Sequence, residues 1–122
     1  MQNGVGVFLC IDMVATTHPN PTQKEYIDIV VDLNKTIPPA YKDGIHFIVE
    51  AINHYYPHIK SVTQSNTLSL QLNQIETSLA HYQVESFLGA TVLWIQQYFK
   101  IDIPDAKYRY DGNERKFIFE LM

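Results

Sequence analysis

Residues 107–121, KYRYDGNERKFIFEL, carry the strongest folding instruction in the chain. Asp111-Gly112 is a turn dipeptide set between two runs in which aromatic residues recur at every second position. A two-residue or a four-residue loop closes a hairpin here. Both have the same parity, so Tyr108 and Tyr110 share a face with Phe117 and Phe119 in either case. A fold that contains this segment includes antiparallel sheet.

The rest of the chain alternates between the two periodicities. VGVFLCIDMV (5–14) is short, apolar and rich in β-branched and aromatic residues, which predicts a strand covered on both faces. Asn20-Pro21 reads as a helix cap followed by proline in the first turn. From there to Ile37, Tyr26, Val30, Leu33 and Ile37 fall at helical spacing, and Pro38-Pro39 stops the pattern. GIHFIVEAINHYYPH (44–58) places Ile45, Ile48, Val49, Ile52 and Tyr56 on one helix face, with Pro57 as its end. Residues 59–72 read as two short strands about a turn at Gln64–Asn66, the second one alternating through Leu68, Leu70 and Leu72. NQIE (73–76) has the form of a capping box, opening a helical pattern that runs toward Phe99. The expected order is therefore β-α-α-(β-β)-α-β-β. This is an α+β chain with a partly antiparallel sheet packed by helices and a C-terminal β-hairpin, in a single globular domain over 1–122.

Composition narrows the functional classes. With 46% hydrophobic and 18% charged residues, the chain can bury a core. A net charge of −4 and only 9 basic residues speak against nucleic acid as the partner, because phosphate-binding surfaces need clustered Lys and Arg. No run of 18 apolar residues is present, and the apolar start lacks a basic leader and contains Asp12. The expected setting is the cytoplasm, with no membrane contact. Cys10, the single cysteine, cannot form an intrachain disulfide and is expected to sit buried as a small hydrophobe.

Two constellations invite a chemical reading. His46, Glu50 and His54 lie within roughly 80° of one another on a helix. Two histidines and a carboxylate can hold zinc, but this spacing is not H-E-x-x-H and a solvated helix face lacks supporting partners. We expect a polar helix face there and no bound metal or cofactor. Asp12, near the end of a strand, could line a crevice with Thr16, Thr17 and His18, although the other parts of a phosphoryl-transfer site are missing.

Charge is more informative. Residues 1–50 hold six acids and three bases, and on a helix Glu25, Asp28 and Asp32 would form one ridge that Asp43 and Glu50 extend. Tyr55 and Tyr56 lie among polar neighbours, the composition of a protein contact. The sequence thus leads to a small acidic inhibitor, not an enzyme, that blocks a basic protein by shape and charge. An immunity protein, an antitoxin or a phage-type inhibitor would have this form. Glu25, Asp28, Asp32, Asp43, Tyr55 and Tyr56 are its expected contact residues. The alternative is a small enzyme or ligand-binding protein using Asp12 and His18, or the His46/Glu50/His54 face. The edge of the terminal hairpin could also pair with another strand and give a homodimer.

Overall fold

A computed structural model describes residues 9–17, 27–77 and 83–122. Its elements run β1 (Leu9–Thr17), β2 (Asp28–Leu33), α1 (Gly44–His54), α2 (Tyr56–Thr63), β3 (Thr67–Thr77), α3 (Ser86–Tyr98), β4 (Lys107–Asp111) and β5 (Lys116–Glu120), with a 3-10 turn at Pro39–Tyr41. The class is α+β, as the sequence indicates, but the order β-β-α-α-β-α-β-β differs in its first half.

Three local readings change. DIVVDL (28–33) is a strand and not the middle of a helix. Three consecutive β-branched residues resist helix formation, and β2 lies parallel to β3 with Ile29 opposite Leu68, Val31 opposite Leu70 and Leu33 opposite Leu72. Residues 59–63 continue a helix, because Pro57 occupies the first turn of α2, where its missing N–H costs nothing. Gln64 ends α2 in the left-handed conformation, φ 53°. NQIE does not cap a helix; it is the second half of β3, an eleven-residue strand. The leucine alternation of 68–72 carries on past a register shift opposite Asp12 and Met13, which leaves Asn73 without a partner residue on β1.

The main sheet has the order β1-β3-β2, with β1 antiparallel and β2 parallel to the central strand. Segment 34–66, which includes α1 and α2, forms the crossover that a parallel pair requires. The inner face of β3 is apolar ahead of the register shift, where Leu68, Leu70 and Leu72 are buried to 1% exposure or less. The helices cover that face, contributing Ile48 and Ile52 from α1, Ile59 from α2, and Phe87, Val92 and Ile95 from α3. Gly44 starts α1 against the ring of Phe87, and any Cβ there would overlap that ring. Phe47 of α1 is half-buried against this core.

β4 and β5 form a separate two-stranded antiparallel sheet. The four-residue loop 112–115 is held by Asp111, whose Oδ1 accepts the N–H groups of Asn113 (2.9 Å) and Glu114 (3.3 Å). Tyr108 faces Phe119 and Tyr110 faces Phe117 across the pair. Gly89 on α3 lies against the Phe119 side chain of β5. Gln96 ties the approach to β4 onto α3, its Nε2 donating to Ile103 O and Asp105 Oδ1, both at 2.8 Å.

Candidate binding surface

The strand alternation that fills the core also writes the opposite face of the main sheet. On β1 the outward residues are Cys10, Asp12, Val14 and Thr16; on β2 they are Asp28, Val30 and Asp32. Ladder pairing sets Val14, Gln71 and Asp32 in one row across the three strands, and Thr16, Ser69 and Val30 in the next. Beyond the register shift, Asp12 faces Gln74 and Cys10 faces Glu76. This side is open to solvent: Val14 is 47% and Val30 55% exposed, and Asp12, Asp32, Gln71, Gln74 and Glu76 are exposed as well.

Its charge is of one sign. Asp12, Asp28, Asp32 and Glu76 all belong to it, and none of the three strands contains Lys, Arg or His. With residues two apart on a strand separated by about 7 Å, these carboxylates are spread over the face and do not converge on a point. They create a negative field over a shallow surface. A depression of about 190 Å³ beside the register shift is lined by Cys10, Ile11, Asp12, Gln74 and Glu76. Cys10 is exposed there, contrary to the sequence expectation, because strand parity turns Leu9 and Met13 inward. Partial desolvation, and then the neighbouring Glu76 carboxylate, raise the Cys10 thiol pKa above its ordinary value.

Comparison of the chain with protein-family models, with curated proteins and with solved structures finds no match. The surface must therefore be read from its own chemistry.

The expected contact residues fall in different places. Asp28 and Asp32 do share a face, but as strand residues four apart and not as part of a helical ridge. Glu25 and His18 lie outside the described residues. Asp43 is exposed immediately before α1, and Glu50 is exposed on it, both on the helical layer and away from the open sheet face. Tyr55 and Tyr56 are buried, at 2% and 5% exposure. Tyr55 is a structural clasp: its hydroxyl donates to the Met122 main-chain oxygen (2.8 Å) and accepts from the Met122 N–H (3.2 Å). Helical spacing accounts for both: Tyr56 continues the stripe of Ile45, Ile48, Val49 and Ile52, and Tyr55 follows Ile48 by two turns, so both rings turn into the core and their polar sequence neighbours do not make them surface residues. His46, Glu50 and His54 are exposed on α1; His54 Nε2 lies 3.2 Å from the Met122 oxygen. Among the described residues no group of three His, Cys, Asp or Glu side chains is placed to hold a metal ion, and no helix is long and apolar enough to cross a membrane.

Glu76, Val14 and Gln71 were not legible as surface partners. The signal that finds them is the period-two pattern of 9–17 and 67–77 taken together, with the leucines marking the inner face.

Proposed function

We propose that this protein is a small binding inhibitor that occupies a basic macromolecular partner through the open face of its main sheet. The observation that carries the reading is the combination of four carboxylates, no basic side chain and two solvent-exposed valines on one broad, shallow surface. Spread carboxylates steer a basic surface into contact. Val14 and Val30 then supply apolar area that becomes dry on docking, while Gln71, Ser69 and Thr16 offer hydrogen bonds around them. An immunity protein, an antitoxin or a phage-encoded inhibitor of a cytoplasmic enzyme acts in this way, without chemistry of its own.

The test is affinity capture from the native host at low and at high salt, with the wild-type chain beside an Asp12→Asn, Asp32→Asn, Glu76→Gln triple variant. The reading expects a basic protein to be held by the wild type, released as salt rises, and bound about tenfold or more weakly by the triple variant. Capture that ignores both salt and the three substitutions overturns it. So does stoichiometric zinc that is lost in His46→Ala and His54→Ala.

A further inference from the structure

Side chains close two of the strand edges, and among the described residues a third is left open. On the outer edge of β1, Trp94 Nε1 donates to Met13 O (2.9 Å), and the Tyr98 hydroxyl both accepts from Ala15 N and donates to Ala15 O (3.2 Å each). On the outer edge of β5, the Gln83 side-chain amide imitates a neighbouring strand: Oε1 accepts Phe117 N (2.9 Å), and Nε2 donates to Phe117 O. That contact fixes the hydrogen-bond phase of the hairpin. Since both main-chain groups of Phe117 point away from β4, Tyr110 and Phe117 form a non-hydrogen-bonded pair, and so do Tyr108 and Phe119. The N–H and C=O groups of Tyr108 and Tyr110 therefore point out of the far edge of β4. Among the described residues no hydrogen bond reaches them from another element. Every residue from Lys107 to Tyr110 is exposed, with Tyr108 at 49% and Tyr110 at 57%.

We infer that this edge pairs antiparallel with the same edge of a second copy, joining two hairpins into a four-stranded sheet. Three observations select a second copy. Along β4 the charges run Lys107, Arg109, Asp111 on one face, so the full-length antiparallel register sets each Lys107 opposite the Asp111 of the other chain. In that register Tyr108 meets Tyr110 of the other chain as a hydrogen-bonded pair, which matches the outward phase derived above and satisfies four N–H and four C=O groups. Residues 100–122 hold five acids and five bases, so two copies can meet here without the repulsion that the −4 carried by the rest of the chain would impose. The aromatic face then runs on, with Tyr108 and Tyr110 extending the ring contacts they already make with Phe117 and Phe119. One element opposes the pairing: Arg109 faces itself across the two-fold axis.

Sedimentation velocity from about 10 μM to 1 mM tests the inference, since an interface this small associates weakly. The wild-type mass should rise above 14.1 kDa toward twice that value. Tyr110→Pro removes an outward N–H and leaves the β4–β5 ladder intact, so it should weaken association at least tenfold while the circular dichroism spectrum is kept. Lys107→Glu should weaken it severalfold, and because it also sets a like charge opposite Glu120 within the hairpin its circular dichroism is read beside the wild type; Arg109→Thr should strengthen association. In the unmodified protein, amide exchange at Tyr108 and Tyr110 should slow as concentration rises, with Arg109 protected throughout. A mass fixed at the monomer value up to 1 mM overturns the inference. So does association that survives both Tyr110→Pro and Lys107→Glu. An Arg109→Thr variant that associates less well also overturns the inference, because two facing guanidinium groups cannot hold this register together.

Discussion

The two sheets of this protein use the same alternation and end in opposite states. In the main sheet, β3 presents Leu68, Leu70 and Leu72 to three helices, and its neighbour β1 has its outer edge closed by Trp94 and Tyr98. In the hairpin, β4 presents Tyr108 and Tyr110 to water, and among the described residues no hydrogen bond reaches its outer edge. The difference teaches that alternation specifies a strand but not its burial. A leucine face is stabilised by what covers it, whereas tyrosine, with an apolar body and a polar tip, tolerates either condition until a partner arrives.

The largest effect that would sharpen this contrast comes from truncating the covered face. Leu70→Ala should lower unfolding stability by about 2–5 kcal/mol, while Tyr110→Ala should cost about 0.5 kcal/mol or less, in denaturant titrations read side by side. Equal losses at the two positions would break the comparison. Gly44→Ala comes next, at about 1–3 kcal/mol, because the new methyl group must displace Phe87 from the middle of the helical layer. Trp94→Phe keeps most of the ring but strands the Met13 carbonyl, and about 1–3 kcal/mol should be lost. If that variant is as stable as wild type, the β1 edge is not closed by this hydrogen bond. Gln83→Leu should cost about 1 kcal/mol by the same logic on β5.

The smallest expected effect concerns Cys10. Desolvation and Glu76 both favour the neutral thiol, so its folded pKa lies above the unfolded one. Stability from this group is thus complete below the unfolded pKa and declines as pH rises through the folded value. Alkylation of the folded protein near pH 8 should be slower than that of the unfolded chain, despite the exposure of Cys10, and Glu76→Gln should speed it modestly. An unchanged rate in Glu76→Gln would remove the carboxylate as a cause.

Parts of this architecture were legible in the residues. Asp-Gly between alternating aromatic runs specified the hairpin and the shared face of its four rings, because turn chemistry and parity are local. The Ile48/Ile52 stripe specified α1, and LSLQL specified the heart of β3. Local pattern did not resolve DIVVDL, where Ile, Val and Val satisfy both helical and strand spacing; pairing with β3 decides it. It also misplaced NQIE, whose capping-box form is overruled by the ladder to β1. The acidic surface illustrates the same division. Sequence alone established that −3 of the net charge of −4 falls in the first fifty residues and that bases are few. Only tertiary pairing, by bringing strands from 9–17, 28–33 and 67–77 side by side, decided that Asp12, Asp32 and Glu76 share one face and that Tyr55 and Tyr56 do not join it. Charge is a property each residue carries with it, but adjacency between distant segments exists only once the backbone ladder has formed.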